Sequence, residues 1–215
     1  MKYFEHFQPK GTDFALPYLV TRPDAVSKET KLPLLVFLHG AGERGDDEKR
    51  LCVHGPAKYF SSDAQYLDQK VIMLAPQCPQ GQIWSNFPTA LMELILSVAE
   101  RENADMDRIS ITGLSMGGFG TWSMLAQYPD FFSAGAPICG GGVCWYCRPS
   151  APVRAFHGDE DDLVPLENSL LMVDAIKKNG GHAELTIYHG CGHNSWTPAY
   201  ETTDLIPWLI AAKRK

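Results

Sequence analysis

The stretch RISITGLSMGGFGTW, residues 108–122, decides the fold class. It begins with β-branched residues typical of a buried strand and continues, after Gly113, into a segment with helical character. Glycine and serine are ordinary turn residues, so this pattern alone is weak evidence and the rest of the chain has to support it. A serine between a strand and a helix, with glycines on both sides, is also the arrangement that presents a hydroxyl for nucleophilic attack.

Strand and helix patterns alternate along the chain. Continuous apolar runs that end in glycine or proline indicate strands buried on both faces of a sheet. The predicted strands are 32–40, 70–79, 108–113, 151–158 and 182–190, the last more alternating in hydrophobicity and hence nearer an edge. The predicted helices are 88–103, 117–128, 166–181 and 197–215, the last expected to kink or break at Pro207.

This alternation predicts an α/β fold, a doubly wound and mostly parallel sheet with helices on both faces. We expect a single domain over residues 1–215, with one or two antiparallel edge strands from residues 1–31, for example around 16–23. Little or no lid is expected, because the segments between core elements are short. The longest insert, 139–150, is the candidate for overhanging a site.

The bulk composition narrows the functional classes. The 215 residues have a formal net charge of −6, which argues against nucleic-acid binding because phosphate contacts need a basic face. No apolar run reaches about 18 residues, so no membrane span is expected. The amino-terminal MKYFEHFQPKG lacks the apolar core of a signal peptide, which favours a cytoplasmic protein. The lone Cys144-x-x-Cys147 pair favours free structural thiols over a local disulfide or a redox motif.

Polar residues gather where the predicted strands end. In an open parallel sheet, functional groups collect at the carboxyl ends of the strands. Ser115, the acids within 159–162 and the histidines within 189–193 follow strand ends in that chain order. A serine hydroxyl needs a neutral imidazole to accept its proton, and that imidazole needs a carboxylate to fix its tautomer and stabilise its charged form. The sequence therefore predicts a serine–acid–histidine site on one rim of the sheet.

Four motifs in this order give the chain a family resemblance over most of its length, from about residue 32 onward. They are LHGAGERGDD (38–47), GLSMGGFGTW (113–122), HGDEDDLVP (157–165) and GCGHNSW (190–196). The chain resembles α/β-hydrolases, and within them small carboxylesterases of the dienelactone hydrolase and phospholipase/carboxylesterase group, especially bacterial proteins labelled predicted peptidases. The four motifs together are far more specific than the Gly-x-Ser-x-Gly elbow alone.

The resemblance assigns catalytic roles position by position. Ser115 is the expected nucleophile, and Asp161 is the expected acid because it occupies the family position in His-Gly-x-x-Asp-x-x-Val-Pro. His193 is the expected base, with His189 as its competitor. Neighbouring acids that remain alternatives to Asp161, with Asp162 the strongest, are Asp159, Glu160 and Asp162.

An oxyanion hole needs two backbone N–H groups aimed at the developing negative charge. By resemblance these belong to Met116, which follows the nucleophile, and to Ala41, which follows His-Gly, with Gly42 permitting close backbone approach. We expect three charged residues to tie this loop down through ion pairs: Glu43, Arg44 and Asp46.

Several aromatic residues have both a structural and a functional interpretation. Trp84 and Trp196 are candidates for lining the substrate pocket, although tryptophan is more often a core residue. His39 and His157 each end a strand before glycine, and we expect both to be structural, with His39 a candidate for shaping the oxyanion loop.

The predicted activity is hydrolysis of small-molecule carboxylic esters through an acyl-enzyme, with no metal and no organic cofactor. A serine peptidase or thioesterase with the same triad is the nearest alternative, because all three substrates pass through a tetrahedral intermediate. A catalytically inactive hydrolase fold used as a binding module is a third possibility, because fold alone does not guarantee function. The sequence identifies neither the acyl and alcohol groups nor the oligomeric state.

Overall fold

Eight strands form one sheet in the computed structural model, which describes residues 1–62, 66 and 69–214. The order across the sheet is β1-β2-β4-β3-β5-β6-β7-β8. The strands are β1 (Lys2–Phe7), β2 (Leu16–Thr21), β3 (Leu32–Leu38), β4 (Ile72–Pro76), β5 (Ala104–Leu114), β6 (Ala134–Ile138), β7 (Val153–Gly158) and β8 (Ala183–Tyr188).

The six strands from β4 to β8 across the sheet are parallel to one another, whereas β2 is antiparallel to both of its neighbours, β1 and β4. The amino-terminal segment thus supplies two antiparallel strands at one edge, and β8 forms the other edge, as predicted. The carboxyl ends of β3, β5, β7 and β8 lie on the same rim because these strands share one direction.

Helices cover both faces of the sheet. They are α1 (Glu48–Leu51), α2 (Gly55–Ser62), α3 (Pro88–Arg101), α4 (Met116–Gln127), α5 (Glu167–Lys178), α6 (Trp196–Glu201) and α7 (Leu205–Ala211). Buried residues of α3, α4 and α5 belong to one apolar cluster, and those of α2, α6 and α7 belong to a second one. The two clusters are the two sheet–helix layers of a doubly wound α/β fold, so the predicted fold class is confirmed.

Strand β6 was absent from the sequence prediction. Its sequence, AGAPI, contains glycine and proline, which usually mark turns rather than central strands. The small residues fit here because helix α4 packs directly on the strand: a β-carbon at Gly135 would lie 2.6 Å from the Leu125 side chain. Helices α1 and α2 were also absent from the prediction.

The carboxyl-terminal helix is broken, and the break precedes Pro207. Helix α6 ends at Glu201 and α7 begins at Leu205, so Pro207 is the third residue of α7. The first backbone N–H groups of a helix have no intrahelical acceptor, and proline costs little there. Among the described residues, no helix has the length and apolarity needed to cross a membrane. All six cysteines, Cys144 and Cys147 included, are free thiols.

Candidate active site

Ser115 sits at the turn between β5 and α4 with a left-handed backbone, at φ 52° and ψ −118°. A non-glycine residue rarely adopts positive φ, because its Cβ crowds the backbone. The turn is held by the backbone N–H of Ser115, which donates to the Ile138 carbonyl at 2.9 Å. The side chain is half-buried at the amino terminus of α4, where the helix dipole favours negative charge.

Glycines around the serine allow three backbone segments to meet. A β-carbon at Gly113 would lie 2.4 Å from the Gly117 carbonyl oxygen, and one at Gly118 would lie 2.4 Å from that of Ile138. Both distances are shorter than any real Cβ contact, so no side chain fits at either position. The elbow predicted from the glycine spacing is therefore also a packing requirement.

Asp161 follows β7, and its carboxylate is buried. Oδ1 accepts the backbone N–H groups of Leu163 at 3.0 Å and Val164 at 2.9 Å. Burial raises the pKa of this carboxyl, but the hydrogen bonds from Val164, His193 and Leu163 outweigh burial, so the net pKa is lowered from 3.8. The carboxylate thus remains charged at neutral pH.

His193 links this carboxylate to the serine. Nδ1 lies 2.8 Å from Oδ2 of Asp161, and Nε2 lies 2.8 Å from Oγ of Ser115. Because the carboxylate only accepts, Nδ1 carries the hydrogen, and in the neutral ring Nε2 is then free to accept the serine proton. The structure brings together the three residues that the sequence singled out, in the orientation that proton transfer requires.

The rival residues form a separate pair. His189 Nδ1 lies 2.7 Å from Oδ2 of Asp159, and the histidine side chain is 86% exposed. His189 is therefore hydrogen-bonded at the surface rather than packed inside. Glu160 and Asp162 are exposed, and of the four neighbouring acids it is Asp161 whose carboxylate bonds His193.

The loop after β3 begins with His39. Its ring is buried and joins this loop to the segment that follows β4. Nδ1 lies 2.6 Å from the Gly40 carbonyl, and Nε2 accepts the backbone N–H of Cys78 at 2.9 Å. Burial lowers the pKa of His39 to about 4, so the ring is neutral at physiological pH. Ala41 follows at the start of a 3₁₀ turn and is exposed, whereas Met116 is the first residue of α4.

The charged residues of this loop bind differently from the prediction. Arg44 donates to backbone carbonyls, from Nε to Gln82 at 2.6 Å and from Nη1 to Ala41 at 3.3 Å. Asp46 pairs with His6 at the surface. Among the residues that the structure describes, Arg44 thus ties the loop down through main-chain hydrogen bonds rather than through an ion pair.

Glu43 of the same loop faces two histidines. Its side chain is 12% exposed, with Oε2 3.9 Å from His39 Nδ1 and Oε1 4.0 Å from His54 Nε2. The sequence analysis gave no role to His54. The sequence around it, LCVHGPAK, carries no motif that would have indicated one.

The two candidate pocket tryptophans have different environments. Trp84 is 1% exposed and donates its indole N–H to the His39 carbonyl at 3.0 Å, so it is a core residue and the predicted substrate contact is wrong. Trp196 is partly buried and lies between two histidines, with ring centroids 5.5 Å from those of His193 and His54. Trp196 remains a candidate for contacting substrate.

One set of potential metal ligands occurs among the described residues: Cys139, Asp161 and His193, with ligand atoms within 4.8 Å of one another. Asp161 and His193 are already hydrogen-bonded together, and burial raises the pKa of the Cys139 thiol to about 12. His193 uses Nδ1 for Asp161 and Nε2 for Ser115, so neither ring nitrogen is left for a metal and the set fits proton transfer better than metal binding.

Part of the 139–150 segment flanks the helix of the nucleophile. Gly142 and Val143 line a cavity of about 470 Å³ together with Phe119, Trp122 and Ala126 of α4. Phe119 is the lining residue one helical turn from Ser115, and its N–H bonds the Ser115 carbonyl at 3.1 Å. The segment thus walls a cavity beside the helix.

Comparisons with known proteins identify relatives of this chain. The model of the prolyl oligopeptidase family matches residues 146–209. A protein from Escherichia coli K12 named as a carboxymethylenebutenolidase is 23% identical over 87% of this chain and 70% of its own. The crystal structure of a thermostable esterase superposes on 99% of this chain, with a TM-score of 0.89 and 32% identity.

The chain is an α/β-hydrolase. This hydrolase is of the esterase or peptidase type, as the names of its relatives indicate. It spans 63% of the length of the thermostable esterase. An acylaminoacyl peptidase from Pyrococcus horikoshii, 18% identical with a TM-score of 0.71 over the whole of this chain and 42% of that one, shares the fold.

Proposed function

We propose that this hydrolase cleaves carboxylic esters through an acyl-enzyme on Ser115, and that residues 1–215 act as one catalytic domain. The observation that carries the proposal is the continuous hydrogen-bonded line from Ser115 through His193 to Asp161, with 2.8 Å at each step. Such a line converts a poorly nucleophilic hydroxyl into an attacking group because the proton leaves as the new bond forms.

The proposed reaction has two halves. His193 accepts the Ser115 proton through Nε2 while Oγ attacks the ester carbonyl, and Asp161 stabilises the resulting imidazolium. His193 then donates that proton to the departing alcohol, which leaves the acyl group on Ser115. Water next attacks the acyl-enzyme with His193 again as base, and the carboxylic acid departs. These steps use side chains, backbone amides and water.

We assign the oxyanion hole to the N–H groups of Ala41 and Met116. Two observations support this assignment. The N–H of Ser115 already donates to Ile138, and Met116 begins a helix, where N–H groups lack intrahelical acceptors. Ala41 is exposed near the start of the loop that Arg44 holds in place. The loss of one such donor typically costs about 3 kcal/mol of transition-state stabilisation.

We further propose that the acyl group occupies the cavity beside α4. His193 has to lie next to the departing alcohol, because it protonates that oxygen. The loop of His193 leads into α6, whose Ala199 and Tyr200 belong to one sheet face, whereas Trp122 of the cavity belongs to the other. The alcohol is therefore assigned to the His193 side of Ser115 and the acyl group to the opposite, apolar side.

Peptide hydrolysis is the second candidate function. The match to the prolyl oligopeptidase family and the fold shared with an acylaminoacyl peptidase favour it. Thioester hydrolysis is chemically equivalent at the acylation step. A binding module without catalysis is the least supported alternative, because every position of the triad is filled and hydrogen-bonded.

A panel of p-nitrophenyl esters assayed beside peptide p-nitroanilides and acyl thioesters tests the proposal. We expect the esters to be hydrolysed with the highest kcat/KM and Ser115→Ala to abolish their turnover. A fluorophosphonate probe should label the protein and leave Ser115→Ala unlabelled. Anilide turnover above that of short esters would establish the peptidase alternative, and a folded protein that resists labelling would establish the binding module.

A further inference from the structure

A second imidazole contacts the carboxylate of Asp161. Nε2 of His157 lies 3.2 Å from Oδ2, the same oxygen that lies 2.8 Å from Nδ1 of His193. The His157 side chain is fully buried, and the proton transfers described above do not use it. The sequence analysis interpreted His157 as structural, because it ends a strand before Gly158.

His157 is itself fixed on both ring nitrogens. Nε2 lies 2.8 Å from the Val164 carbonyl, which only accepts, so Nε2 carries a hydrogen. Nδ1 lies 2.7 Å from Oγ of Ser169, and that hydroxyl lies 3.1 Å from the Gly140 carbonyl. The ring therefore joins strand β7 to the acid loop, to helix α5 and to the segment that follows β6.

We propose that His157 is a positioning residue for the hydrolase reaction, whose N–H donates to the Val164 carbonyl and thereby holds the loop that carries Asp161 in line with His193. The inference rests on the proposed function, because it assumes that Asp161 orients the base. His157 bonds the acid loop and helix α5 rather than Ser115, so it acts through Asp161 and not on substrate.

The positions of the hydrogen-bond donors around Asp161 explain why the positioning role of His157 matters. The two N–H groups that hold Oδ1 belong to Leu163 and Val164, within the same loop as Asp161. The donor from His193 comes from another loop. His157 lies on a strand inside the sheet, so its hydrogen bond to the Val164 carbonyl fixes the acid loop relative to the rigid part of the fold and to the elbow of Ser115.

The first experiment compares His157→Leu, His157→Gln and His157→Asn in the full chain with p-nitrophenyl butyrate. Removal of the ring in His157→Leu should lower kcat by about 10²-fold, the effect of a misplacement of about 1 Å, while KM stays within about twofold. His157→Gln can extend an amide N–H towards the position of Nε2 and should restore most of the activity. The shorter amide of His157→Asn should not.

The second experiment is a double-mutant cycle with Asp161→Asn. If His157 acts through Asp161, His157→Leu should lower kcat strongly in the natural chain and less than about twofold in the Asp161→Asn background. Additive losses, an effect on KM alone, or unchanged kcat in a folded His157→Leu would each overturn the inference. If His157→Leu does not fold, equal activities of the Gln and Asn variants would overturn it instead.

Ser115→Ala separates this inference from the function on which it rests. Loss of ester hydrolysis in Ser115→Ala together with full activity of His157→Leu would overturn the positioning role alone. Ester hydrolysis that survives Ser115→Ala would overturn the proposed function.

Discussion

A β-carbon at Gly117 would lie 1.9 Å from the carbonyl oxygen of Leu38. The first turn of α4 therefore packs on the end of β3 with no space between the two backbones. The same contact brings the oxyanion loop, which starts at His39, next to the nucleophile. A shift of helix α4 relative to strand β3 would move Ser115 away from the proposed amide donor of Ala41.

This contact predicts that Gly117→Ala destabilises the fold. The overlap involves backbone on both sides, so it cannot be relieved by a rotamer change, and we expect a loss of about 3 kcal/mol in the free energy of unfolding. Gly42→Ala is the matched control, because a β-carbon there would have no heavy atom within 4 Å. Urea denaturation of both variants is the measurement, and equal stabilities would contradict the packing.

The lowered pKa of Asp161 predicts how the free energy of unfolding changes as pH falls. Although burial raises its pKa, hydrogen bonds from Val164, His193 and Leu163 leave the net pKa below 3.8 in the folded chain. The Asp161 carboxyl of the unfolded chain therefore binds a proton at higher pH than that of the folded chain. Its contribution to the free energy of unfolding is complete above about pH 4 and is lost as pH falls through the folded pKa.

The stability advantage of the natural chain over Asp161→Asn should accordingly shrink as pH falls below about 4. Denaturant unfolding of both proteins at a series of pH values measures it. Comparison with the variant removes the contributions of the titrating groups that do not contact Asp161. An advantage that stays constant or grows with acidity would show that the folded pKa is not lowered.

The sequence predicted the three proposed catalytic residues better than the residues that hold their loops in place. Ser115, Asp161 and His193 each lie in a short motif with a chemical rationale, so their order along the chain sufficed to single them out. The roles of Arg44 and His157 depend on which loops meet in space, and local sequence carries little of that information. Strand β6 was not predicted because AGAPI resembles a turn sequence. It is extended because it pairs with the neighbouring strands β5 and β7.

We predict that substitution of Arg44 lowers kcat/KM, although Arg44 does not act on the reacting atoms. Its bonds to the carbonyls of Gln82 and Ala41 hold the loop that presents the Ala41 N–H. Lysine cannot reproduce this fork, so Arg44→Lys should lower kcat/KM for p-nitrophenyl butyrate roughly tenfold. Arg101→Lys, at the β1–β2 edge of the sheet beside Glu5, is the matched control and should have no effect. Equal rates in the two variants would exclude this role for Arg44.

The cavity beside α4 predicts an effect that depends on the acyl group. Ser123 lines the cavity, and Ser123→Trp would fill much of it. We expect kcat/KM for p-nitrophenyl octanoate to fall about tenfold or more, while that for the acetate is unchanged, because a short acyl group does not reach the new side chain.

Leu96→Trp introduces the same side chain at an exposed position of α3 and is the control for the cavity experiment. A second substrate series should vary the alcohol while the acyl group stays constant. A Ser123→Trp effect that follows the alcohol, or that is equal for acetate and octanoate, would show that the cavity does not receive the acyl group.

The positive φ of Ser115 has a consequence for how this sequence tolerates drift. A non-glycine residue in such a conformation costs on the order of 1–3 kcal/mol, whereas glycine adopts it freely. Replacement of the serine by glycine is thus a change that improves folding and removes the nucleophile at once. A screen that rewards heat resistance alone would enrich inactive proteins at this elbow, so thermal selection of this enzyme has to be coupled to turnover.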